Sequence, residues 1–186
     1  MRAVFLDRDG VINENRGDHV KSWSEFQFLP GAPEAIARLT EAGVLVFVIT
    51  NQAIVNRGLV SQDVVEGINR RMVAELARRG AHITDVAYCP HRSDEHCGCR
   101  KPQPGLVLGL AQQYGVNLDD AVLIGDALSD LEAGHAAGCE SLLVLTGRGR
   151  TQLPLVRHEL TDTVTVVNDL SAAIEWLLVR ESSRFL

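Results

Sequence analysis

No run of apolar residues in this chain of 186 approaches the roughly 18 positions needed to span a bilayer, and the apolar stretch at residues 1–6 is too short for a secretion signal. These absences argue against a membrane partner and make the cytoplasm the expected site of action. Basic charge is not in excess either: 18 Lys and Arg stand against 24 Asp and Glu, for a net charge of -6. A nucleic-acid footprint would need the opposite balance, so an anionic partner has to be held by a few local cations. Cysteine is scarce, and three of the four residues lie between positions 89 and 99. Crowding of this kind reads as a metal site rather than as a secreted disulfide framework. Internal repeats and low-complexity segments are also missing.

What is present is an ordinary globular balance of 46% hydrophobic and 23% charged residues. The length suits one domain over 1–186 with a substantial core, expected as a monomer. Strand-like apolar runs at 2–6, 44–49, 83–88, 121–124 and 141–145 alternate with segments of helical period at about 32–42, 61–79, 103–115 and 129–138. A further strand near 163–167 and a helix over about 169–180 complete the pattern. Alternation of this kind builds βαβ units, so the expected fold is α/β, a three-layer Rossmann-like parallel sheet with helices on both faces. Ser61 and Ser129 are the expected N-caps, Gly43, Gly80 and Gly115 the expected stops, and Pro104 stands near a helix start. The connection over residues 8–30 is long for a βα loop and is expected to form a flap or substrate loop.

The chemistry concentrates where the apolar runs end. Val4-Phe5-Leu6 runs directly into Asp7-Arg8-Asp9-Gly10, two carboxylates one residue apart just past a strand's carboxyl end. Open α/β sheets hold their ligands at that edge. Taken alone, the pair also fits a polar turn whose aspartates bond their own backbone. Taken with the later strand ends, it suits metal-dependent phosphoryl chemistry, one acid attacking while the other handles a proton. Val48-Ile49 ends in Thr50, Asn51 and Gln52, where a hydroxyl can face a phosphate, and Arg57 offers an anion contact. Arg100 and Lys101 precede a helix whose N-terminal amides favour an anion, which makes Lys101 a candidate phosphate clamp. Leu123-Ile124-Gly125 ends in Asp126, with Asp130 one helical turn on. Magnesium prefers oxygen ligands, so Asp7, Asp126 and one backbone carbonyl would suit it. Asp130 reads equally as support behind that site or as a first-turn helix acid.

Cys89-Pro90-His91, followed after five residues by Cys97-Gly98-Cys99, offers three thiolates and an imidazole. That is a full tetrahedral set for zinc with no position left for a reactive water, so the metal is expected to be structural and to hold the loop at 89–101. His96 is an alternative nitrogen ligand to His91. Cys139 reads as core, and His19, His82, His135 and His158 carry no motif.

In their order along the chain, Asp-x-Asp, Thr, Lys and Gly-Asp-x-x-x-Asp resemble the haloacid dehalogenase superfamily of aspartate-nucleophile phosphatases over residues 4–130. The resemblance implies that Asp7 attacks phosphorus to form an aspartyl-phosphate, and that Asp9 protonates the leaving oxygen and then activates water. It also implies phosphoryl stabilisation by Thr50 and Lys101, with magnesium on the carboxylates of Asp7 and Asp126 and the main-chain carbonyl of Asp9. The cysteine motifs, Phe5-Leu6-Asp7-Arg8-Asp9-Gly10, Thr50-Asn51-Gln52 and Arg57-Gly58 are similar to a zinc-loop subgroup of small phosphatases without a large cap domain. Its members act on heptose bisphosphates or on histidinol phosphate. This likeness implies a pocket of Asn15, Arg16, Gly17, Asp18, Asn51, Gln52, Ala53 and Arg100 around a small phosphorylated sugar, with histidinol phosphate as the alternative. The remaining reading, a non-catalytic zinc-stabilised binding module, has no use for Asp7, Asp9, Thr50, Lys101 and Asp126 together. The chain departs from the subgroup at Ala127, where lysine is frequent, at Ala53, where serine is common, and in its short zinc loop.

Overall fold

Apolar runs become parallel strands and the segments between them become crossover helices, in a computed structural model that describes residues 2–160 and 164–182. In chain order the elements are β1 (Ala3–Leu6), α1 (Ala32–Glu41), β2 (Leu45–Asn51), α2 (Gln62–Ala77), β3 (Asp85–Cys89), α3 (Gly105–Tyr114), β4 (Ala121–Gly125), α4 (Leu128–Ala137), β5 (Glu140–Val144), α5 (Gly149–Glu159), β6 (Thr165–Val167) and α6 (Leu170–Ser182). Among the described residues the strands form one six-stranded parallel sheet in the order β3-β2-β1-β4-β5-β6. No helix among them is long and apolar enough to cross a membrane.

Side chains alternate across the pleat, and this builds two apolar layers. Val4, Leu6, Val46, Val48, Val122 and Ile124 face one side, where Ile36 and Leu39 of α1, Ile68 and Met72 of α2, and Ile174 of α6 cover them. Phe5, Phe47, Ile49 and Leu123 face the other, under Leu106, Val107 and Leu110 of α3 and Ala133 of α4. Val156 of α5 packs there with Leu131 and Leu143. The result is the three-layer α/β arrangement expected from the alternation.

The chain leaves β1 towards β2 and later leaves β4 towards β5, in opposite directions along the sheet. The carboxyl ends of β1 and β4 are therefore the topological switch point, where such sheets open a crevice. Register places the functional residues there: Leu6 pairs with Val48 and Ile124, so Asp7 continues at the level of Ile49 and Gly125.

One expectation needs correction, and one helix was not expected. The segment Gly149–Glu159 is a helix that the sequence pattern did not announce, because Pro154 interrupts it and Val156 is the one apolar side chain it buries. Ser129 lies inside α4 rather than at its cap; Ala127 is the N-cap, and the Asp130 carboxylate reaches back to its N–H. Ser61 does precede α2, but its side chain makes no capping bond. Position 163, at the start of the expected last strand, lies outside the described residues.

Residues 8–30 carry a 3-10 turn at Trp23–Glu25 and bury Val11, Ile12, Val20 and Phe26. Trp23 stacks on Phe26 with centroids 4.8 Å apart, and Phe28 meets Phe26 edge-on at 5.1 Å. Arg71 of α2 sits 5.1 Å over the Trp23 ring and anchors the segment to the domain.

Candidate active site

Three buried carboxylates meet one buried ammonium at the switch point. The N–H of Asp7 bonds Ile124 O at 3.0 Å, carrying the β1–β4 pairing one residue past the strand. Lys101 Nζ donates to Asp7 Oδ1 at 2.7 Å and to Ile49 O at 3.0 Å, and lies 2.7 Å from Asp130 Oδ1. Three acceptors thus serve its three protons. Asp130 Oδ2 accepts from the N–H groups of Asp126 and Ala127, at 3.2 and 3.1 Å. Asp130 therefore caps α4 and braces Lys101 at once, joining the two roles left open for it. Gly125 permits this approach, since a Cβ there would overlap the Asp130 side chain.

Burial pushes the Asp7 carboxyl up, Lys101 pulls it down, and Asp130 and Asp126 push it up again, to about 7. Burial alone would lower Lys101, but the charges of Asp130 and Asp7 outweigh it and hold the ammonium at about 12. Burial and then Asp130 raise Asp126, against Arg148. Carboxylate oxygens of Asp7, Asp126 and Asp130 lie within 4.8 Å of one another. Hard oxygen donors with surplus negative charge, in a place where charge is costly to bury, fit a divalent cation such as magnesium.

Asp9 faces a different set of partners. Its carboxylate accepts from Arg8 Nη2 at 2.9 Å, Asn13 Nδ2 at 2.9 Å and Gln52 Nε2 at 2.8 Å. Burial raises this group, yet the Arg8 charge and the bonds from Asn13, Gln52 and Arg8 together bring it below the usual range. Arg8 is fully buried and also donates to Asn69 of α2 at 2.9 Å. Gln52 Nε2 bonds Thr50 Oγ1 at 2.9 Å, so one amide links the two candidates. Two neighbouring acids thus stand in opposite environments: the donor cage holds Asp9 as the carboxylate, the form that takes a proton from water, whereas Asp7 needs positive charge beside it to be the carboxylate that attacks.

At the end of β3, Cys89, His91, Cys97 and Cys99 converge. Cys99 Sγ lies 3.2 Å from Cys89 Sγ, 3.5 Å from Cys97 Sγ and 3.4 Å from His91 Nδ1. The cysteines are free, and the four donors form one group of the size a single ion requires. Soft sulfur and nitrogen in this number fit zinc, with His91 rather than His96 in the set. His96 instead turns the chain at a positive φ of 46°.

A cleft of about 570 Å³ opens over the carboxylates. Of the residues singled out in the sequence, Asp7, Asp9, Asn15, Arg16, Gly17, Thr50, Asn51, Ala53, Arg57, Arg100, Lys101 and Asp130 line it. Asp18 and Gln52 are not on its wall. Asp18 pairs with Lys21 at 2.6 Å and Arg16 at 3.2 Å on the exposed rim, and Gln52 is buried behind Thr50. His19, Ser93, Ser129 and Arg148 line the cleft without having been anticipated. His19 sits at a positive φ of 65° with its Nε2 3.2 Å from Arg57 Nη1; burial and then Arg57 lower its pKa. A histidine in a loop without a motif gives no sign of this, and Arg148 lies in the segment around the unannounced helix.

The HAD-hydrolase-like family matches residues 98–173. The D-glycero-beta-D-manno-heptose-1,7-bisphosphate 7-phosphatase of Pseudomonas putida is 37% identical over 178 residues, covering 96% of this chain and 100% of that protein. The enzyme of the same name from Bordetella bronchiseptica is 41% identical over 178 residues, covering 96% and 98%. The crystal structure of D,D-heptose 1,7-bisphosphate phosphatase from B. bronchiseptica, in complex with magnesium and phosphate, superposes with a TM-score of 0.91 at 40% identity, covering 97% of this chain and 99% of that one. With nearly the whole chain matched at such identity, and with the sheet-edge carboxylates in place, the chain belongs to the haloacid dehalogenase-like phosphatases, in the family of the heptose-1,7-bisphosphate 7-phosphatases.

Proposed function

We propose that this chain removes the 7-phosphate of D-glycero-D-manno-heptose 1,7-bisphosphate through an aspartyl-phosphate on Asp7. One observation carries the chemistry: Lys101 bridges Asp7 and Asp130 beside Asp126, with Asp9 two residues from Asp7 in its own donor cage. The substrate follows the names of the P. putida and B. bronchiseptica relatives.

A carboxylate oxygen of Asp7 forms a bond to phosphorus while the bond from phosphorus to the sugar oxygen breaks, and Asp9, which enters this step protonated once the negative phosphate offsets the Arg8 charge beside it, gives that oxygen its proton. The Asp9 carboxylate then takes a proton from water, whose oxygen attacks phosphorus. The bond to Asp7 breaks, and both acids return to their starting forms. The Thr50 hydroxyl and Lys101 ammonium stabilise the transferring group. Magnesium, held by Asp7, Asp126 and the Asp9 carbonyl, would supply neutralisation of nucleophile and phosphate together. Zinc on Cys89, His91, Cys97 and Cys99 would fix the loop that presents Arg100 and Lys101. Asn15, Arg16, Gly17, Asn51, Ala53, Arg57 and Arg100 hold the rest of the sugar bisphosphate; Asp18 acts through Arg16, and Gln52 through Thr50 and Asp9.

Asp7→Asn is expected to abolish phosphate release in the presence of magnesium while circular dichroism stays that of the parent. Full activity in that variant would remove Asp7 as nucleophile. Turnover on the heptose bisphosphate against histidinol phosphate tests the substrate, and preference for the latter would overturn it.

A further inference from the structure

Arg148 sits beside the carboxylate cluster without a role in the chemistry above. Its main-chain N–H bonds Asp126 Oδ2 at 2.7 Å, and its guanidinium reaches Oδ1 through Nη2 at 3.0 Å and Oδ2 through Nε at 3.5 Å. Gly10 and Gly147 make room for this, because a Cβ on either would fall on Asp126 Oδ2. The main-chain bond already orients the carboxylate, so the guanidinium adds chiefly charge. The two partners differ in exposure: the Asp126 side chain is 0% exposed and that of Arg148 is 51% exposed. Arg148 can turn into the cleft at little cost, whereas Asp126 cannot leave Asp7 and Asp130.

A divalent ion shared by Asp7 and Asp126 competes with the guanidinium for the same oxygens. We propose that Arg148 is an exchangeable counter-ion: its side chain neutralises Asp126 until the divalent ion displaces it, and so sets the affinity of the cation site. This rests on the cation site proposed above. A bond that must be given up on metal binding weakens that binding, while a bond that merely positions a ligand strengthens it, so the two roles predict opposite signs.

The test is titration of Mn²⁺, followed by electron paramagnetic resonance, into the full zinc-loaded chain as parent, Arg148→Gln and Asp126→Asn. In Arg148→Gln the Mn²⁺ Kd is expected to fall roughly three- to tenfold, the scale of a part-exposed charge-assisted pair. Its Tm should lie below the parent's without added divalent ion and match it at saturating Mn²⁺. A Kd unchanged or raised in Arg148→Gln, with Mn²⁺ binding lost in Asp126→Asn, would overturn the exchange. Parental Mn²⁺ binding in Asp126→Asn would instead overturn the cation site on which it rests.

Discussion

At Asp7, burial raises the carboxyl, Lys101 opposes, and Asp130 and Asp126 add to the rise, so the group sits at about 7 rather than 3.8. A folded-state pKa above the unfolded one means that the native state holds the proton more tightly. The carboxyl therefore costs no stability below about 3.8, and the cost grows with pH until it is complete above about 7. Asparagine resembles the protonated form and escapes that cost. Asp7→Asn should raise Tm at pH 8 without added divalent ion, by about 2–4 °C for each kcal/mol relieved, and the gap should close as the pH falls towards 4. Thermal melts across that range check it, and equal Tm at pH 8 would refute it. Asp7 was legible in the sequence only in company, since the Asp7 and Asp9 pair alone also fits a polar turn and the later strand ends are what turned it towards chemistry. The same logic exposed Thr50 and Asp126, and Lys101 by its place before a helix. It could not expose Arg8 as the buried partner of Asp9, since the Asn69 that receives it lies 61 residues away on α2.

The elements around Lys101 connect the proposed zinc loop to the proposed phosphate clamp. Asn51, the last residue of β2, donates its amide to Lys101 O at 3.0 Å and accepts from Lys101 N–H at 3.1 Å. Arg100 Nη1 bonds His91 O at 3.2 Å, and Gly105 N–H bonds Gly98 O at 3.0 Å, where any Cβ on Gly105 would collide. The cluster thus lies between two anchors of the backbone that carries Lys101. Cys99→Ser should remove zinc, seen by elemental analysis, lower Tm, and reduce kcat on the order of 10²-fold, the scale of a displacement near 1 Å at a catalytic group. Parental kcat in protein verified to lack zinc would break the link. At this scale the strands and most helices were readable from period and flanking glycines. α5 was not, because Pro154 sits inside it and it is the most polar of the six helices.

Over the whole molecule, a net charge of -6 opposes the proposed bisphosphate substrate, while Arg16, Arg57, Arg100, Lys101 and Arg148 stand on the cleft wall. The two effects differ in range. Contacts within the cleft act at a few ångströms, whereas the net charge acts over distances that salt screens first, with a Debye length of about 10 Å at 0.1 M and about 3 Å at 1 M. The exposed guanidiniums are themselves screened more than the buried Asp7 and Lys101, so binding should respond to salt more than chemistry does. Raising KCl from about 0.05 to about 0.5 M should therefore increase KM for the heptose bisphosphate several-fold with kcat nearly constant, and should affect a sugar monophosphate less. Steady-state kinetics over a salt series measures both quantities. A KM that falls with salt would mean that repulsion by the acidic surface outweighs the arginines of the cleft.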